Sequence, residues 1–106
     1  MPNIFENIPD TLKEEFFETL AEGKSVRVER IVSEGHVSPD GFWYDQEEHE
    51  WVILLEGEAR IDFEKGKTTQ LHKGDHVLIP AHRKHKVSYT STKPRAVWLA
   101  VFFKAQ

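Results

Sequence analysis

An all-β barrel preceded by one short helix is the fold this sequence predicts, on three observations. After Gly23 the chain breaks into short runs rich in β-branched and aromatic residues. Glycine and proline turn signals separate those runs at short intervals, the pattern of a sandwich or barrel. Two stretches, Phe42–Gly57 (FWYDQEEHEWVILLEG) and Gly74–His85 (GDHVLIPAHRKH), set polar, metal-capable side chains beside apolar runs of buried type.

Residues 1–9 are expected to be extended, with Ile4, Phe5 and Ile8 as apolar anchors. A helix is expected from Asp10 and Thr11, where Thr11 and Glu14 fit a capping box that satisfies free N–H groups at a helix start. Leu12, Phe16 and Leu20 recur every four residues, Phe17 widens the stripe, and Gly23 suits the left-handed position after a helix end. Residues 1–24 are therefore assigned to an N-terminal extension and helix on the outside of the core, and residues 25–106 to the barrel. Ser25–Ser33 alternates as a half-buried strand does, and Ser38-Pro39-Asp40-Gly41 is a turn. Strands are expected over Trp51–Leu55, Ala59–Phe63, Thr68–Leu71, His76–Ile79, His85–Tyr89 and Ala96–Phe103. A hairpin turn is expected at Glu64-Lys65-Gly66-Lys67.

Composition narrows the function. A chain of 106 residues, 39% hydrophobic, suffices for one domain with one core. The formal net charge of −4 and the absence of a basic run argue against a nucleic-acid partner. With no cysteine there is no disulfide, thiolate nucleophile or Cys-type zinc site. No apolar run is long enough to span a membrane, and MPNIFENIPD has no signal-peptide pattern, so a cytoplasmic location is expected. There is no Gly-rich phosphate loop, no dinucleotide fingerprint and no G-x-S-x-G nucleophile motif.

The chemistry centres on Glu50 and His85. Residues two apart in a strand share a face, so Glu50 lies with Val52 and Leu54 ahead of it and with Gln46 and Tyr44 behind it. A carboxylate beside an apolar stripe is costly to bury alone and needs a partner, a proton or a metal. If the strands holding Glu50 and His85 face each other across a barrel, the two meet inside its mouth. One carboxylate, one imidazole and one or two oxygen donors suit a divalent first-row metal.

These stretches resemble the cupin superfamily of small antiparallel β-barrels, over roughly residues 25–103. Its second motif is a glycine, five residues, Pro-x-Gly, two residues and a histidine. Gly74, Pro80 and His85 fall at those places, with His82 replacing the second glycine and Tyr89 an asparagine. Its first motif is His-x-His, three or four residues, a glutamate, then a glycine after six more. Glu50 and Gly57 fit the second half, but the histidine places hold Tyr44 and Gln46 in one register and Trp43 and Asp45 in the other. The chain is also similar to a branch of short bacterial cupins with GFWYDQ, EWV, LLEGEA and IPAH wording. The resemblance implies a double-stranded β-helix (jelly-roll) barrel and a divalent metal, Fe, Mn, Ni or Zn, held by Glu50, His85, Gln46 and Asp45.

Each candidate has a plainer alternative. Glu50 can serve a structural hydrogen bond, His85 can cap a turn, and Gln46 or Asp45 can hold a loop. His49 belongs on the opposite face by alternation. Tyr44 is a candidate for lining a ligand pocket; His82 either lines the mouth or belongs to a solvated turn. Arg60, if inward, is the anchor for an anionic ligand. Both faces of WVILL are apolar while a small barrel has room inside for one, so the other is to be covered by the N-terminal helix, a second sheet or another subunit; a homodimer is expected. The functions to be separated are a metal-binding small-molecule cupin, enzymatic or not, a metal-free binding or sensing module for a small-molecule ligand, and a dimeric interaction protein.

Overall fold

A computed structural model describes residues 1–104. Eight strands follow in order: β1 (Phe16–Glu22), β2 (Val26–Ser33), β3 (Glu48–Glu56), β4 (Ala59–Phe63), β5 (Thr68–Leu71), β6 (His76–Ile79), β7 (His85–Thr90) and β8 (Ala96–Lys104). They form two antiparallel sheets, one ordered β1-β2-β8-β3-β6 and the other β5-β4-β7. The expected all-β barrel is thus what the chain forms, and the runs from Ala59 onward lie within a residue of where their composition put them. Among the described residues no helix is long and apolar enough to cross a membrane.

The expected N-terminal helix is not formed, and this corrects the sequence expectation. Phe16–Glu22 pairs with β2 instead, Phe16 opposite Val32 and Glu22 opposite Arg27. The cause lies in the pattern itself. A recurrence of four is a multiple of two, so Leu12, Phe16 and Leu20 suit one face of a strand as well as one face of a helix. A short helix also carries a nucleation cost that little local bonding offsets. Pairing with β2 gives the same backbone groups partners along the strand. Gly23 still marks the chain reversal, but as a hairpin turn, its N–H donating to the Val26 carbonyl at 2.8 Å.

Register decides where the barrel is full and where it is open. Leu54 near the end of β3, Ala59 at the start of β4, Leu71 at the end of β5 and Ala96 at the start of β8 are all at most 1% exposed. They gather at one end and close it. Gly57 turns the chain there with φ +84°, and a Cβ on it would lie 2.6 Å from Ser91 Oγ and 2.7 Å from the Arg95 carbonyl. At the other end lie the start of β3, the end of β8 and the start of β7, which bring Glu50, Phe102 and His85 inward. The outer face of the large sheet carries Trp51 opposite Leu78 on one side and Val101 on the other.

Residues before β1 are tied down by one buried cation. Arg30, 3% exposed, donates from Nη1 to the Ile4 carbonyl at 3.1 Å and the Glu6 carbonyl at 2.6 Å, and its Nη2 pairs with Glu18 at 2.6 Å. Arg30→Met is expected to lower unfolding free energy by about 2–3 kcal/mol in urea titrations, the scale of lost hydrogen bonds to a charged group, and to open residues 1–9 to proteolysis. Gly57→Ala is expected to cost at least about 2 kcal/mol by the same measurement, from left-handed strain and overpacking together; unchanged midpoints would contradict either account.

Candidate functional site

The open end holds a cavity of about 250 Å³ between the inner faces of the two sheets. Its walls are apolar: Ile31, Val52, Ile79, Trp98 and Phe102 from the large sheet, Ile61 and Val87 from the small one. Strand alternation produces this lining, because Ile31 on β2, Val52 on β3 and Trp98 and Phe102 on β8 share the inward phase.

Polar groups enter the cavity at its mouth. Glu50, on the inward phase of β3, places Oε1 3.5 Å from His85 Nε2. The two side chains are 12% and 6% exposed. His85 Nδ1 lies 2.9 Å from the Arg83 carbonyl. A carbonyl only accepts, so Nδ1 carries hydrogen and Nε2 is the atom turned to the cavity. Glu50 accepts no hydrogen bond from any described side chain, and Arg27 is engaged elsewhere, so the contact that faces its carboxylate is His85.

Tyr44 is held over His85 by an isolated bridge. Its N–H donates to the His85 carbonyl at 2.7 Å and the His85 N–H returns a bond at 3.1 Å. Side chains of such a pair project to one side, and the two rings stack with centroids 5.5 Å apart. Burial, with the Glu15 and Glu50 charges added, holds the Tyr44 phenol above its usual 10.0. It therefore stays protonated at neutral pH and can donate. Gln46 lines the cavity beside it.

Three sequence candidates lie away from this lining. Asp45 alternates outward and meets His82 Nδ1 at 2.9 Å, both side chains exposed. His82 has φ 65°, the left-handed conformation that a glycine at its motif position adopts freely; its N–H donates to the Gln46 carbonyl at 2.8 Å. Arg60 points away because its neighbours Ala59 and Ile61 take the inward phase, and its Nε donates to Ser88 Oγ at 2.9 Å. His49 also faces away, accepting from the Ala81 N–H at 2.9 Å. Of the two registers for the first motif, Tyr44 with Gln46 reaches the cavity, and Trp43 with Asp45 does not.

Three charged residues at the mouth were not singled out from the sequence: Glu15, Arg27 and Glu29. Arg27 and Glu29 were legible, since both share the phase of Ile31 in an alternating strand. Arg27 donates from Nε to Glu29 at 2.7 Å and from Nη1 to Glu48 at 3.3 Å, while its guanidinium lies 4.4 Å above the Phe102 ring. Burial opposes its charge, but Glu29 and Glu48 outweigh burial and hold it more firmly protonated than usual. Glu15 was hidden by the helical assignment. It accepts a hydrogen bond from Ser33, whose Oγ accepts from Trp98 Nε1 at 3.3 Å.

The donors fit a resident metal only in part. Glu50 and His85 present one oxygen and one nitrogen, Gln46 adds an amide, and Tyr44 is held as a phenol. Among the described residues no three His, Cys, Asp or Glu side chains converge as a metal-holding group. The four-ligand set of Glu50, His85, Gln46 and Asp45 is not assembled, because Asp45 turns to His82.

Burial raises the Glu15 carboxyl above 4.5, outweighing the Ser33 hydrogen bond and the His36 charge that lower it. A carboxyl raised in the folded state penalises folding when ionised; that cost is absent below the unfolded value and complete above the folded one. Glu15→Gln, which keeps an acceptor for Ser33, is therefore expected to raise Tm at pH 7–8, with the gain vanishing as pH falls below about 4. A pH-independent difference in Tm would contradict the assignment.

Similarity to known proteins accords with this geometry. A candidate mannose-6-phosphate isomerase from Ralstonia eutropha JMP134, known from its crystal structure, is 39% identical over 99% of this chain and 98% of its own, with a TM-score of 0.94. A cupin superfamily protein from Desulfitobacterium hafniense DCB-2 is 20% identical over 92% of this chain and 84% of its own, TM-score 0.76. An RmlC-like cupin family protein with a double-stranded β-helix fold, from Methanocaldococcus jannaschii, is 17% identical over 92% and 87%, TM-score 0.71. The last two likenesses concern the fold alone. Among curated proteins none matches the chain significantly. The sequence profile of the Cupin domain matches residues 28–102, and with the two-sheet barrel this makes the chain a member of the cupin family.

Proposed function

We propose that this cupin binds a small molecule at the open end of its barrel, through Glu50 and His85 with Tyr44 and Gln46 beside them. One observation carries the proposal: a carboxylate and an imidazole from different sheets meet 3.5 Å apart in an open, apolar-walled cavity. Such a place suits a ligand with an apolar body and a few polar groups. Glu50 and His85 Nε2 offer acceptors, and Tyr44 offers a donor. The Glu50–His85 pair is also able to take a proton from a bound donor or return it, the minimum that acid–base chemistry asks.

A phosphosugar, which the name of the Ralstonia relative suggests, is less well matched to this cavity. A phosphate dianion needs cations or clustered N–H groups. Among the described residues the one permanent cation in the lining is Arg27, already bonded to Glu29 and Glu48.

A divalent ion, Fe, Mn, Ni or Zn, is the second reading, favoured by a specific distance. Ligands about 2.1 Å from a tetrahedral ion lie about 3.4 Å apart, close to the 3.5 Å between Glu50 Oε1 and His85 Nε2. The Nδ1–H bond to Arg83 is the outer-shell contact that leaves Nε2 free to ligate. Such an ion would be held by Glu50 and His85 with Gln46, and would supply Lewis acidity.

Small polar molecules screened by NMR against chelator-treated protein are expected to shift Trp98 indole and His85 ring signals. Glu50→Ala and His85→Ala should each weaken that binding by at least about tenfold. Binding indifferent to both substitutions, or lost entirely on chelation, contradicts the primary proposal. Elemental analysis of protein purified without chelator tests the ion: near-stoichiometric metal lost in both variants supports it, and substoichiometric metal indifferent to both removes it.

A further inference from the structure

We infer that the cavity takes a small organic cation, an ammonium group on an apolar body, with Glu50 as its counter-ion. This rests on the proposal that the cavity is the ligand site, and goes beyond it by naming the class of ligand.

Charge is the first argument. Three carboxylates line the cavity, Glu15, Glu29 and Glu50, against one permanent cation, Arg27. That cation is spent within the protein, on Glu29 at 2.7 Å and Glu48 at 3.3 Å. Its own attraction for an anion is correspondingly reduced, while the contact Glu50 makes is with His85 Nε2, at 3.5 Å, and with neither arginine of β2.

The second argument is hydrogen-bonding capacity. Glu50 accepts from no described side chain at hydrogen-bond distance, and His85 Nε2 stands 3.5 Å away. The His85 side chain is 6% exposed, with Nδ1 fixed to Arg83 and Nε2 aimed into the cavity without a hydrogen-bond partner. The Nδ1–H bond to Arg83 makes Nε2 the acceptor of the neutral ring, beside the acceptor oxygens of Glu50. An ammonium brings two or three N–H donors and a positive charge, which meet both needs at once. A carboxylate or phosphate brings acceptors and negative charge, and would face Glu50 unpaired. The apolar walls enlarge this difference, because charge interactions strengthen where water is displaced.

Shape is the third argument. A volume of about 250 Å³ is at the small end of ligand pockets. Trp98 and Phe102 contribute aromatic surface to the wall, suiting a compact apolar or aromatic body attached to the charged end.

The test uses three probes of matched shape: benzylamine, benzyl alcohol and benzoate at pH 7. Each is titrated into the purified chain while the Trp98 indole signal is followed by NMR. The expected order is the ammonium tightest, about tenfold or more over the alcohol, and benzoate weakest. Glu50→Gln, with Tm checked in parallel, is expected to erase the preference for the ammonium and leave the alcohol bound. Should that variant fail to fold, the ranking on the parent chain decides alone. Benzoate binding as tightly as benzylamine, or a preference that survives Glu50→Gln, overturns the cation assignment. If the alcohol perturbs Trp98 while the ammonium gains nothing, the class is wrong and the cavity stands as a binding site. If none of the three perturbs Trp98, both this inference and the proposed ligand site fail.

Discussion

Glu50 and His85 face each other across the gap between two sheets, and neither strand can satisfy its own side chain. β3 delivers a carboxylate into an apolar interior, where an isolated charge is costly. β7 delivers an imidazole whose far nitrogen is fixed to the Arg83 carbonyl. The contact between them exists only when both sheets are formed and docked. The cavity lies beside that contact, and Tyr44 is held across His85 by backbone bonds.

The two ends of the barrel show how one alternating pattern serves two purposes. Inward positions near the ends of β3 and β5 and the starts of β4 and β8 are aliphatic or small, and they fill. Inward positions near the starts of β2, β3 and β7 include Arg27, Glu29, Glu50 and His85, and they do not. Stability thus rests on the closed end, with Leu54 and Leu71 inside it and Gly57 turning the chain where no side chain fits. The cavity lies at the open end. The family's His-x-His places hold Tyr44 and Gln46 here. That exchange puts a protonated phenol and an amide where the family motif has two nitrogen donors.

Much of this was legible in the residues. From Ala59 onward, composition and turn residues located each strand closely, because β-branched runs between glycines and prolines leave few alternatives. Glu50 and His85 were legible from motif spacing. The N-terminal strand was not, since spacing by four satisfies both periods and only pairing with β2 decides between them. That misassignment concealed Glu15. Arg27 and Glu29 were visible as inward positions of an alternating strand, yet a charged residue on an inward phase is easily taken for one at a strand end. The direction of Arg60 follows from Ala59 and Ile61 on either side of it. Alternation back from Glu50 put Gln46 and Tyr44 on its face, but the motif spacing left the Trp43–Asp45 register open; the Tyr44–His85 bridge, a contact between distant segments, decides it.

A crystal structure of the chain soaked with benzylamine tests the central claim most directly. The account predicts ligand density in the barrel mouth, with the nitrogen at about 2.7–3.2 Å from Glu50 and within reach of His85, and the ring against Trp98. Glu50 and His85 side chains pointing apart, or a mouth filled by dry packing that no solute enters, would contradict it.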